Sequence, residues 1–323
     1  MLLIYLAFFL LGLIAISKIF NFITQADCKS KVCLVGKTAL VTGGYRGYQI
    51  ALALLQRGCR VVIADKEEDK KLLENIFKET RSRNVVFKYV DFASLKSTRQ
   101  LAENVIKDEG KLDILVNNAG IARNKSTVTE DGLDIIMQVN YFSAFLLTHL
   151  LADLLKESKG RVIFTSSGLS YFNNFSLDKL KPDGLSTGYY FYYSNSKLCL
   201  VMATEMFAEK LKKYGVTSNA YHPGVVSTAI FASATDKRRL FNRLWWFIKA
   251  SDFYAFVAGK SAEQGAQTGI HLACAKEVEG VSGEFFFELK PTWKPKLTRN
   301  KQLCNDVWSI TEELVKLKPN EKL

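Results

Sequence analysis

From Gly36 onward the chain alternates short apolar runs with longer mixed ones. Thr38-Ala39-Leu40-Val41 has the composition of a strand buried on both faces. Arg60 to Asp65, Val85 to Val90 and Asp113 to Val116 repeat the pattern. Between them, Gln49 to Arg57, Glu67 to Arg81 and Leu95 to Asp108 have helical length and mixed polarity. Arg161 to Thr165, Thr217 to Tyr221 and Gly283 to Phe287 supply later strands. A long helical run opens at Tyr193 and ends near Tyr214, and a last helix is expected around Leu303 to Val315. Strands alternating with helices in this way predict an α/β fold with a doubly wound parallel sheet. No internal repeat or low-complexity linker breaks the series, so residues 37–323 read as one domain.

The N-terminus follows another pattern. Met1 to Ser17 carry no charge, and beyond Lys18 the apolar character continues through Ile19, Phe20, Phe22 and Ile23. About 20 apolar residues cross a bilayer as a helix, so residues 1–24 predict a transmembrane anchor and residues 25–36 a linker. A cleaved signal peptide wants a basic start and a small-residue cleavage site, and neither is clear here. Lys18, Lys29, Lys31 and Lys37 follow the apolar stretch and place the domain on the cytosolic side.

Charge and cysteine content narrow the partners. The net charge is +12, but the basic residues are scattered, which suits an anionic membrane surface better than nucleic acid. The six cysteines form no CxxC pair and show no metal-ligand spacing with His149, His222 or His271. They read as thiols in a reducing compartment, with no metal site expected.

Two constellations carry chemistry. Thr42-Gly43-Gly44-Tyr45-Arg46-Gly47 joins the first strand to the first helix. Glycines there permit a tight turn and close approach of a pyrophosphate to the helix N-terminus. Asp65 ends the second strand, where a carboxylate accepts hydrogen bonds from the adenosine ribose and favours NAD. Arg46 and Lys66 pull toward the 2′-phosphate of NADP, so the choice between the two stays open. Farther on, Tyr193 and Lys197 lie four apart on one helix face. An ammonium beside a phenol favours the phenolate, which exchanges a proton with an alcohol while a hydride moves to or from a nicotinamide.

Further motifs occur in order: Asn117-Asn118-Ala119-Gly120 after the fourth strand, Val139-Asn140 in the next long helix, Ser166-Ser167 after the fifth strand and Pro223-Gly224 after the sixth. Together they resemble the short-chain dehydrogenase/reductase family over Lys37 to Phe287, and so imply a Rossmann fold. The resemblance implies that Tyr193 is the general acid/base and that Lys197 lowers its pKa and holds the nicotinamide ribose. It implies that Ser167, rather than Ser166, bonds the substrate oxygen and that Asn140 supports a water-linked relay through Lys197. It assigns Gly43, Tyr45, Arg46, Gly47, Tyr48, Asp65 and Lys66 to the phosphate and adenosine side, with Asp91 at the adenine and Asn118, Ala119 and Gly120 beside them. Pro223, Gly224, Val226 and Thr228 fall to the nicotinamide end. One departure is Gln49, which replaces the family's third turn glycine, the one used for helix–strand packing.

Leu146-Leu147-Thr148, His222 to Val226 and Ser261 to Ala266 are similar to the membrane-anchored retinol dehydrogenase branch, and Glu279 to Gly283 and Asn300 to Leu303 to a related dehydrogenase/reductase. This implies a retinoid- or polyprenol-like isoprenoid alcohol or aldehyde as substrate, at the endoplasmic reticulum or a lipid droplet. Independently, Phe231 to Phe256 mixes Trp245, Trp246 and Phe247 with Arg238, Arg239, Arg243 and Lys249. That pattern suits an apolar lid over residues 229–257 or a segment lying on a membrane. Lys290 to Lys301 reads as a solvated basic tail. A steroid or other lipid carbonyl is the alternative substrate, a non-catalytic membrane scaffold the alternative of another class, and self-association is left open.

Overall fold

The computed structural model describes residues 23–122, 127–182, 189–226 and 259–323, with scattered positions before residue 23. The strands are β1 (Thr38–Thr42), β2 (Arg60–Asp65), β3 (Val85–Tyr89), β4 (Ile114–Asn117), β5 (Arg161–Thr165), β6 (Thr217–Tyr221), β7 (Phe285–Phe287) and β8 (Lys290–Pro291). They form one sheet in the order β3-β2-β1-β4-β5-β6-β7-β8, in which only β8 runs antiparallel. The principal helices are α1 (Gly44–Gln56), α2 (Lys70–Thr80), α3 (Leu95–Glu109), α4 (Ile135–Leu150), α5 (Ala152–Ser158), α6 (Tyr189–Leu211), α7 (Ala262–Cys274) and α8 (Lys301–Leu314). This is the doubly wound parallel sheet that the strand–helix alternation predicts.

Side chains alternate across a strand, so a strand covered on both faces feeds two cores. Leu40, Val62, Leu115, Val162 and Phe164 face α3, α4, α6 and α8. Ala39, Val41, Val61, Ile63 and Ile163 face α1 and α7. Local chemistry sets the helix ends. Ser94 accepts the Ser97 N–H at the start of α3, and Gly110 closes that helix at φ 65°. Asp134 accepts the N–H groups of Ile136 and Met137 at the start of α4. Ser261 and Gln264 form a reciprocal capping box at α7.

The structure adds three things to the sequence pattern. Asn140 lies in a π-helical turn, Gln138–Phe142, inside α4. Residues 25–36, expected as a linker, lie against the domain. Gln264 donates to Gln25, the Cys28 N–H to Gln267 Oε1, and Arg57 to the Ser30 carbonyl, while Leu34 is buried. Lys290 to Lys301 is not a solvated tail. It forms β8 and a 3₁₀ turn, and Lys294 pairs with Glu205 at 3.0 Å.

Among the described residues no single helix is long and apolar enough to cross a membrane. Most of the expected anchor and all of the expected lid at 229–257 lie outside the described residues. The described positions Ile16, Ile19 and Ile23 are helical and exposed.

His149 packs among Phe145, Phe207 and Trp308, with ring centroids 4.4 to 5.0 Å away. Burial pulls its pKa down to about 4, which the Phe145 carbonyl and Glu312 only partly oppose. An unfolded histidine titrates near 6.5 and so binds more protons than the folded one between those values. Stability contributed by the neutral ring is present above pH ~6.5 and lost as pH falls toward 4, by up to about 3 kcal/mol. Thermal unfolding from pH 7 to 4.5 should therefore show a smaller acid-induced drop in Tm for His149→Phe than for the parent chain. Parallel curves for the two would refute this assignment.

Candidate active site

In an open parallel sheet, ligands bind beyond the strands' carboxyl ends where the winding reverses, here between β1 and β4. The segments after both strands meet there. Gly43 is left-handed at φ 78°, and a Cβ on it would lie 2.9 Å from Ala119 Cα. Thr42 Oγ1 accepts the N–H groups of Asn118 and Ala119, each at 3.0 Å. Asn118 Nδ2 returns a bond to the Thr42 carbonyl at 3.1 Å. Thr165 on β5 donates to Asn118 Oδ1 at 3.2 Å and lies 3.1 Å from the Tyr221 hydroxyl on β6. A polar seam thus crosses the ends of β1, β4, β5 and β6.

The catalytic candidates hang on this seam. Tyr193 and Lys197 face the same side of α6 and are 6% and 3% exposed. Lys197 Nζ donates to the Thr165 carbonyl at 2.7 Å and sits 5.7 Å from the Tyr193 ring centroid. Ser166 is buried and donates to the Lys197 carbonyl at 2.7 Å. Ser167 begins the next turn, where its Oγ accepts the Leu169 N–H at 3.2 Å and keeps its own proton to donate. The pair therefore divides its work, with Ser166 fastening α6 to β5 and Ser167 presenting a hydroxyl. Asn140 accepts the Ile121 N–H at 2.7 Å and donates to the Ile121 carbonyl at 2.9 Å and to Ser196 at 3.0 Å. Gly120 lets these groups approach, since a Cβ there would lie 3.2 Å from Asn140 Oδ1 and 3.4 Å from Lys197 Nζ.

On the adenosine side, Asp65 accepts the N–H groups of Gly44 at 2.6 Å and Lys66 at 2.7 Å. Lys66 pairs with Asp91 at 2.6 Å. Burial works to raise the Asp91 pKa, but Lys66 and the Ala93 N–H outweigh it and hold the carboxyl below its usual range. Lys66 thus has a carboxylate partner already. The Tyr48 hydroxyl donates to Glu79 at 2.6 Å, which turns it toward α2 and not into the Gly43 turn. Gly47 serves helix–strand packing, because a Cβ there would come within 2.6 Å of Val41. With that contact made by Gly47, α1 runs unbroken past a half-buried Gln49. The Tyr45 and Arg46 side chains and Thr228 lie outside the described residues.

At the other end, Pro223, Gly224 and Val226 follow β6, with Gly224 at φ 81°. The Lys260 N–H donates to the Val225 carbonyl at 2.8 Å. Thr42, Thr165, Ser196, Tyr221 and Lys260 were not singled out from sequence. Thr42 and Thr165 carried one available signal, a polar group ending a strand with an apolar middle.

A dinucleotide fits what these residues offer. At the N-terminus of α1 the Gly44 N–H is taken by Asp65, and the helix's own first turn holds no acidic residue. The helix dipole favours an anion beyond the Gly43 turn. Asp65 stands at the end of β2 to meet the ribose.

The comparisons agree. The family model "short chain dehydrogenase" matches residues 37–239, and the chain belongs to that family. Its relatives include retinol dehydrogenase 13 from Homo sapiens, 33% identical over 92% of this chain and 90% of that protein. Retinol dehydrogenase 11 from Homo sapiens is 32% identical over 94% and 93%, and retinol dehydrogenase 12 from Bos taurus 33% over 91% of each. A crystal structure of an uncharacterized protein from Mycobacterium paratuberculosis shares the fold, with TM-score 0.67 and 22% identity over 88% of this chain and 95% of that one. The chain is an NAD(P)-dependent alcohol dehydrogenase/reductase of the retinol dehydrogenase-like branch.

Removing the Asn140 amide would leave two part-buried backbone groups of Ile121 without their side-chain partner. At about 1–3 kcal/mol for each unsatisfied group, Asn140→Ala should lose about 2–4 kcal/mol in urea unfolding. A loss under about 1 kcal/mol would show that the 118–121 segment does not depend on it.

Proposed function

We propose that the chain interconverts a hydrophobic, retinoid- or polyprenol-like alcohol and its aldehyde or ketone, with Tyr193 as general acid/base. The observation that carries this reading is the Tyr193–Lys197 pair, spaced one turn apart by the helix, with the Lys197 ammonium held by the Thr165 carbonyl. When bound, a nicotinamide cofactor supplies the two-electron oxidising or reducing equivalent. Ser167 donates a hydrogen bond to the substrate oxygen and orients it toward Tyr193. Tyr193 takes the hydroxyl proton in oxidation and returns it in reduction. The Lys197 ammonium favours the phenolate and offers a donor to the nicotinamide ribose. Its proton reaches solvent along a water-linked path beside Asn140. The turn opening at Gly43 cradles the phosphates, Asp65 meets the ribose, Asp91 the adenine, and Pro223 to Val226 with Thr228 the nicotinamide end.

The substrate class draws support from the names of the relatives and from the apolar lid expected at residues 229–257. The neutral, apolar first 17 residues support a membrane anchor at the endoplasmic reticulum or a lipid droplet, with the domain in the cytosol. Purified full-length protein in detergent should turn over retinoid or polyprenol substrates with NAD or NADP. Tyr193→Phe should lower kcat by about 10²–10⁴-fold, as loss of a general acid/base does. Wild-type turnover by that variant would overturn the mechanism. Activity confined to steroids would overturn the substrate class and leave the mechanism standing.

A further inference from the structure

A lysine just outside the site has no role in the chemistry above. Lys260 lies between the expected lid and α7, and its side chain is only 3% exposed. Burial drags its ammonium down to about 8, so the charge is costly where it sits. Its counterion is Glu288, itself only 12% exposed.

Glu288 is placed by unusual backbone. Glu288 and Leu289 form the two-residue turn joining β7 to β8, with φ 47° and 64°. Hairpins of this length favour positive φ at both positions, but glycine or asparagine normally supplies it. Residues other than glycine are strained in this conformation, and such strain concentrates where a side chain must be aimed. Here the turn aims the Glu288 carboxylate at Lys260 with one oxygen, while the other accepts the Ala26 N–H at 3.1 Å.

Lys260 in turn supports the segment after β6. Its N–H holds the Val225 carbonyl at 2.8 Å, and it bridges in parallel with Val226. A Cβ on Gly224 would lie 3.3 Å from Lys260 Cε, so the side chain lies directly against that residue. The ammonium is 5.3 Å from the centroid of the Phe287 ring, which stacks on His222 at 4.2 Å with an interplanar angle of 9°. Burial, and then repulsion by Lys260, lower the His222 pKa to about 4 and keep that ring neutral. A Cβ on Gly168, beside Ser167, would come within 3.8 Å of His222 Nδ1. Lys260, Phe287 and His222 thus form a layered stack from the β7–β8 turn to the segment bearing Ser167.

We propose that the buried Lys260–Glu288 pair is a positioning device that props the 222–226 segment and ties the nicotinamide end of the site to the chain that leads from the N-terminus. This rests on the reading that Pro223 to Val226 take the nicotinamide end. Lys260 acts through that segment, and Ala26 is the third point of the clamp. The Glu288 carboxylate thus links Ala26 of the N-terminal chain to the site, beside the Gln25–Gln264 bond.

The first test uses the full-length protein without cofactor. Amide hydrogen exchange of the peptide spanning 222–226 should rise by about fivefold or more in both Lys260→Met and Glu288→Gln, with β1 to β4 peptides unchanged. The second test is kinetic. With saturating cofactor, kcat should fall about tenfold while the cofactor KM moves less than about threefold, because a displaced nicotinamide loses alignment more than affinity. The isotope effect with C4-deuterated cofactor should rise, a change that lowered stability alone would not produce. Unaltered exchange and kcat in folded Lys260→Met would overturn the proposal. So would a tenfold rise in cofactor KM at constant kcat, which would make Lys260 a direct anion contact. If Lys260→Met fails to fold, Glu288→Gln decides alone, since it keeps an acceptor for Ala26. Faster exchange with unchanged kcat and isotope effect would sink the placement of the nicotinamide end and leave the clamp intact.

Discussion

The site depends on how α6 is fastened to the end of β5. Two bonds cross in opposite directions. Ser166 donates its hydroxyl proton to the Lys197 carbonyl, and Lys197 donates from its ammonium to the Thr165 carbonyl. A buried ammonium without an acceptor would cost several kcal/mol, so the Thr165 carbonyl fixes where Lys197 can be. Tyr193 follows because it lies one turn back on the same helix. Thr165 is held in its turn by Asn118 and Tyr221, and Asn118 by Thr42. The general acid/base is thereby referenced to four strands at once, and a shift in any of them is felt at the phenol.

This arrangement explains the composition of the strands. β1, β4 and β5 are apolar through their middles and end on polar residues, Thr42, Asn117 and Thr165, while β6 is polar from Thr217 to Asn219 and ends on Tyr221. Inside β1, β4 and β5, backbone pairing satisfies the strand and the apolar side chains need only pack. At the carboxyl edge the ladder stops and backbone groups must find other partners. Thr42 Oγ1 and the Asn118 amide provide them. The same termination that would be a liability in a dry core becomes a row of fixed donors and acceptors at the switch point.

Much of this was legible in the chain. The buried strands stand out as short apolar runs, and the Gly43 turn, Asp65, Ser167, Tyr193 and Lys197 fall where strands end or helices begin. What escaped was long-range. The amides of Gln138 and Asn140 stand out in a mostly apolar helix, but nothing local says that the turn bearing them is π-helical. Lys290 to Lys301 looks solvated, since the acids that hold Lys294, Glu205 and Glu284, are distant in sequence. Lys260 looks like a surface lysine for the same reason. Gln49 raised a question about helix packing that only the contact between Gly47 and Val41 resolves.

The N-terminal chain shows how such distant contacts change the meaning of a segment. Residues 25–36 have the composition of a tether, yet Gln25 meets the first turn of α7 and Ala26 meets Glu288 at the end of β7. Both partners stand at the carboxyl edge of the sheet, where Ser167, Tyr193 and Pro223 also lie. A chain running back from Gln25 toward the N-terminus therefore starts from the catalytic edge, not from the opposite one. With the proposed anchor in a bilayer, that edge is the part of the domain tied closest to the lipid. An apolar alcohol leaving the membrane would then meet the site with a short path through water. The proposed anchor and the proposed apolar substrate would both be served by that placement, to which the Gln25–Gln264 and Ala26–Glu288 bonds contribute.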